Sequence, residues 1–182
     1  MTRDDLERLQ ALDIDFESIG LLEPGMPQEP YFCTPLGAEH VARTGCDGVH
    51  FVLLPGDERI FCVDPAMGEP GKYVLPVAED LRQFLSFLLF CRDSSPIAQL
   101  WWLEEDRFRS LLEEDAAARW EGCKPFLARK SKALEVIAHA FSLAPADPYA
   151  PVRAMQASFD SVVLRFSDEY YDVLGIERAE RS

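Results

Sequence analysis

The chain has 182 residues, 48 % of them apolar, and its 32 Asp and Glu against 18 Lys and Arg give a formal net charge of −14. That length suits one continuous core better than two, so residues 1–182 are read as a single domain: a lead-in over 1–30, a sheet over 31–75 and a mainly helical part over 76–182. The acidity argues against direct nucleic-acid binding, which needs basic surface to release counterions, and no leader-like opening or apolar run of bilayer length points to export or a membrane anchor.

In chain order, Leu6, Leu9 and Leu12 predict a short amphipathic helix, and Pro24, Gly25, Pro27 and Pro30 then break regular structure. From Tyr31 the pattern turns to short β-type runs: Glu39–Arg43, Val49–Leu54 and Arg59–Val63. Asp47-Gly48 separates the first two and Pro55-Gly56-Asp57-Glu58 the others, which are hairpin signals. Closing the second hairpin on those four residues pairs Val52 with Phe61 and His50 with Val63. Phe51, Leu53, Ile60 and Cys62 then share the opposite face. Both faces are apolar, which predicts a sheet covered on both sides. Asp64-Pro65 ends the ladder, and a further short strand is read at Tyr73–Leu75.

A central helix is predicted from Val77, with Leu81, Phe84, Leu85 and Leu88 at helical spacing. Ser94-Ser95-Pro96 resets the chain. Helices follow at Ile97–Trp102, Glu104–Leu112 and Phe126–Phe141, then a short one through Met155, a strand-like Val162–Phe166 and a final turn at Ser167–Leu174. The expected class is α+β: a small antiparallel sheet with helices packed before and after it.

Cys33, Cys46, Cys62, Cys91 and Cys123 are odd in number and contain no C-x-x-C pair, which fits a reducing cytoplasm better than a disulfide framework. His40, Cys46, His50 and Cys62 are metal-capable, but their spacing follows no zinc pattern, and the predicted register turns His50 and Cys62 to opposite faces. No metal or cofactor is expected. Cys46 with His50 is the one local thiol–base combination; no phosphate loop, G-x-S-x-G elbow or H-E-x-x-H helix is present. The acidic runs Glu104-Glu105-Asp106 and Glu113-Glu114-Asp115 read as a solvated ridge or as a docking surface for a basic partner. Consecutive helical residues point about 100° apart, so Trp101 and Trp102 cannot enter one core pocket; one at a rim reads either as packing against a neighbouring helix, the favoured reading, or as a protein-binding anchor. These eight residues are the candidate partner-binding set.

The stretch Thr44-Gly45-Cys46-Asp47-Gly48-Val49-His50-Phe51, the second strand ending in Val63-Asp64-Pro65 and the helix opening Pro76-Val77-Ala78-Glu79-Asp80-Leu81 resemble bacterial members of the SMI1/KNR4 (SUKH) superfamily. Ile97–Trp102 and the tail Phe166-Ser167-Asp168-Glu169-Tyr170-Tyr171-Asp172 extend the resemblance over most of the chain from Tyr31. The family's N-terminal Leu-Pro dipeptide followed by Asn-Gly-Gly has no counterpart here. The resemblance implies an α+β protein-interaction module without catalysis, of the kind that acts as an immunity protein neutralising a bacterial toxin. A regulatory or scaffolding module of the same type is the alternative, and a cysteine-dependent enzyme using Cys46 and His50 is a third reading.

Overall fold

The computed structural model describes residues 2–177. At its centre four antiparallel strands lie in chain order, β1 (Glu39–Arg43), β2 (His50–Leu53), β3 (Ile60–Val63) and β4 (Val74–Ala78). The β2–β3 register pairs His50 with Val63, Phe51 with Cys62, Val52 with Phe61 and Leu53 with Ile60, as the hairpin chemistry predicts. Every residue of β2 and β3 is buried, because both faces of the sheet are covered.

One face carries Phe51, Leu53, Ile60 and Cys62 against α2 (Leu81–Cys91). Seven residues of that helix are buried, and Phe84 meets Phe51 with ring centroids 4.8 Å apart. Flanking this layer are α1 (Thr2–Gln10) and α5 (Cys123–Phe141), the latter through Leu134, Ile137 and Phe141. The opposite face carries Val52, Phe61, Val63 and Val74 beneath an aromatic cover that includes Phe32, Tyr73, Phe159, Phe166 and Tyr170. Tyr170 belongs to α7 (Asp168–Leu174) and stacks on Phe166 at 4.0 Å. The fold is therefore α+β, with the sheet held between a helical layer and an aromatic one.

Several boundaries differ from the sequence reading for identifiable reasons. β4 runs through Pro76 to Ala78, where a helix is predicted from Val77, because β4 is an edge strand and tolerates a residue that cannot donate. The helix begins instead at Leu81, where the Asp80 carboxylate accepts from the Gln83 N–H at 2.7 Å. Asp80→Ala should lower stability by about 1 kcal/mol, read as a lower urea midpoint at unchanged slope.

The strand-like Val162–Phe166 is not a strand. Asp160 accepts from the Val162 N–H at 3.0 Å and turns Ser161–Val163 into a 3-10 segment, with Val162 80 % exposed. Short α3 (Ser95–Ala98) stops before the tryptophans, α4 (Glu105–Ala117) runs past Leu112, and α5 starts three residues before Phe126. Past the Pro145-Ala146-Asp147-Pro148 break, α6 (Tyr149–Ser158) packs against β4. The outer edge of β1 is covered by the lead-in, where Leu22 and Arg43 exchange both backbone hydrogen bonds. None of the described helices is long and apolar enough to cross a membrane.

Candidate partner-binding surface

α4 is a peripheral helix: of its 13 residues only Phe108 is buried, with Leu111 and Leu112 half-buried beside it. Phe108 packs on Tyr149 at 5.6 Å, and the Arg109 guanidinium lies over Phe90, Phe108 and Tyr149 while pairing with Glu105 at 2.9 Å and Asp147 at 2.6 Å. Partial burial is the largest influence on Asp147 and opposes its ionisation, but the bond from Arg109, the Tyr149 N–H and the Arg109 charge together outweigh it and hold the carboxyl below its ordinary value. This latch fixes one side of α4 to the start of α6. The other side faces solvent.

Glu104, Glu105, Asp106, Glu113, Glu114 and Asp115 are all exposed. Glu105 and Glu114 are taken by Arg109 and Arg107, whereas Glu104, Asp106, Glu113 and Asp115 make no ion pair among the described residues. Their positions differ in physical meaning. Glu105 and Asp106 lie in the first turn, where the helix dipole favours negative charge. Glu113, Glu114 and Asp115 lie toward the carboxyl end, where the last turn holds no basic residue and the dipole disfavours them. Negative charge is therefore concentrated at a place where helix stability alone would not put it.

The two adjacent tryptophans separate as predicted. Trp102 is 41 % exposed, whereas Trp101 is half-buried against α6 and β4. A third tryptophan, not singled out in the sequence reading, is 51 % exposed: Trp120, just beyond α4, packs at a tilt on Phe126 with ring centroids 5.6 Å apart. α4 spans about 20 Å at 1.5 Å per residue. An exposed indole thus precedes the acidic helix and another follows it.

The competing chemistry assembles differently. Pairing of β1 with β2 puts His40 opposite Val52, on the face that also carries His50, and the two rings stand 6.2 Å apart at a cleft lined also by Thr34, Glu29 and Glu39. His50 is 4 % exposed; Nδ1 meets the Gly48 carbonyl at 2.7 Å and Nε2 meets the Thr34 hydroxyl at 3.2 Å. A carbonyl only accepts, so Nδ1 carries the proton and Nε2 of the neutral ring accepts from Thr34. Both ring nitrogens are thereby taken, and neither is bonded to the Cys46 thiol. Burial lowers the His50 pKa against the raising effect of the Gly48 bond. His40 is pushed down to about 4, by burial first and by His50 second, and neither of its ring nitrogens has a hydrogen-bond partner among the described residues.

All five cysteines are free; Cys46 is exposed and the other four are buried. Burial pushes the Cys33 thiol up to about 12 and raises Cys62 and Cys91 as well, which opposes thiolate formation at those three positions. Cys62 lies on the sheet face opposite His50, as the register requires. Among the described residues no group of three or more His, Cys, Asp or Glu is arranged to hold a metal ion. The histidines converge, and the thiols do not join them. The chain matches no known protein-family model, no curated protein and no solved structure.

Proposed function

We propose that this protein is a non-enzymatic binding module of the SMI1/KNR4 type, whose acidic α4, with Trp102 and Trp120 at its ends, docks a basic protein partner. A bacterial toxin domain is the partner this reading favours, which makes the chain an immunity protein. The observation that carries it is the placement of Glu113, Glu114 and Asp115 at the wrong end of a helix for stability, on a surface that the fold leaves uncovered. A net charge of −14 steers a basic partner toward that surface, and exposed indoles supply the apolar contact that charge alone lacks. Five free thiols fit a reducing cytoplasm. A housekeeping partner in a regulatory or scaffolding role would use the same surface, and rescue from toxicity separates the two.

The test exploits opposite signs. In the double variant Glu113→Gln, Asp115→Asn, folding stability should stay level or rise by about 0.5 kcal/mol, because two charges leave the negative end of the helix. Association with a basic toxin domain encoded beside this chain should slow roughly tenfold at low salt. Stopped-flow association and urea unfolding read the two effects separately. Unchanged association would remove α4 from the docking surface.

A further inference from the structure

A cleft of about 610 Å³ opens between the β3–β4 connection, the turn before α4 and the last turns of α6. We infer that it is a binding site for a small organic acid, a carboxylate or phosphate monoester on an apolar body, distinct from the docking role of α4. Its volume lies in the range of small-ligand sites. Leu75, Trp101 and Phe159 supply apolar wall, and Lys72 and Arg153 supply cationic wall. Among the described residues no carboxylate lines it, in a chain where acids outnumber bases 32 to 18.

The hydrogen-bonding groups fix the chemistry of the guest. The Trp101 Nε1–H and the Gln156 Oε1 are buried without a partner among the described residues, although both side chains belong to this wall. Both atoms are closed to solvent, so they lie behind the wall, and the groups that face a guest are the Trp101 ring and the two cationic side chains. Arg153 spends Nη1 on the carbonyls of Leu100 and Trp101, which holds the Trp101 turn against α6 and leaves its other N–H groups for an anion. Lys72 stands 6.0 Å from the Trp101 ring centroid and pairs with Glu69 at 2.7 Å. Both side chains of that pair are more than half exposed, so an incoming anion competes with Glu69 on easy terms. The side-chain charge lining the cleft is therefore cationic, and the site selects a negatively charged ligand over a neutral or cationic one of the same shape.

Three tryptophans give three indole N–H signals in a nitrogen-15 correlation spectrum, and Trp101→Phe identifies the relevant one. The full chain, in a buffer free of phosphate and carboxylate, is titrated with benzoate, phenyl phosphate and benzamidine at constant ionic strength. Saturable movement of the Trp101 signal by benzoate or phenyl phosphate, with benzamidine inert, supports the site, and the tighter of the two acids names the head group. Lys72→Gln, an exposed substitution whose spectrum also reports the fold, should weaken that acid about tenfold. No movement of the Trp101 signal with either acid, equal movement with benzamidine, or undiminished binding by Lys72→Gln would overturn the inference.

Discussion

Phe84→Ala should remove about 3–5 kcal/mol of folding stability, the usual range for deleting a fully buried phenylalanine, through lost transfer free energy and the cavity left behind. Phe84 has no exposed surface and packs tilted on Phe51 of β2, with ring centroids 4.8 Å apart. The surrounding Leu81, Leu85, Leu88 and Ile60 are each fully buried and already packed, so little can move in to fill the space. For a chain of this size that loss corresponds to a fall in Tm of roughly 6–20 °C. Urea unfolding measures it directly, as a lower midpoint with unchanged slope. A loss below about 1 kcal/mol would mean that α2 does not buttress the sheet.

Stability should also fall in mild acid through His40. Its pKa is about 4 in the folded protein against an ordinary value of 6.5, because burial and the neighbouring His50 ring disfavour the charged form. Above pH 6.5 both folded and unfolded chains leave the ring neutral, and its contribution is fully present. Between pH 6.5 and 4 the unfolded chain takes up a proton that the folded chain refuses, so stability is lost as pH falls. For His40 alone the loss between pH 7.5 and 5 is about 1 kcal/mol once solvent screening at this half-buried ring is allowed for. The lowered His50 acts in the same direction. Nearby Glu23 partly offsets the effect and Arg43 reinforces it. His40→Phe removes the titrating ring and its two unpartnered nitrogens. That variant should match or exceed the parent at pH 7.5 and lose about 1 kcal/mol less on going to pH 5. Carboxylates common to both proteins cancel in the comparison. Equal pH dependence in parent and variant would show that His40 titrates normally in the fold.

The parts of the fold legible in the sequence are those set by short-range chemistry. The hairpin from His50 to Val63 was readable because a four-residue turn of Pro, Gly, Asp and Glu joins two alternating runs, and the side-chain period of two then fixes the register. Gly48 was readable as a turn residue for the same reason; its φ is +72°, and a Cβ there would lie 2.6 Å from the Tyr31 ring. β4 was only partly readable, since Pro76 inside it imitates a boundary until its place at the sheet edge is known. Val162 to Phe166 misled because β-branched residues next to a buried Leu164 have strand propensity, while the Asp160 cap that decides the local conformation is a single hydrogen bond.

Legibility of the site followed the same division. The acidic runs and the divergence of Trp101 from Trp102 are local properties, visible in the chain. Which carboxylates are spent on ion pairs was not visible, because Arg109 reaches Asp147 across the fold. The meeting of His40 with His50 depends on a β1–β2 register that is irregular between His40 and Ala42, so alternation along β1 could not predict it. The cleft between Lys72, Trp101 and Arg153 joins three segments distant in sequence, and no pattern within any one of them announces it.

In the proposed complex the acidic, indole-flanked α4 holds a basic protein. The most direct measurement is calorimetric titration of the purified chain with a basic toxin domain encoded beside it, repeated at rising salt. A one-to-one complex is expected that weakens as salt increases and that abolishes the toxicity of that domain when the two are co-expressed. Absence of binding heat at low salt, together with undiminished toxicity, would contradict it.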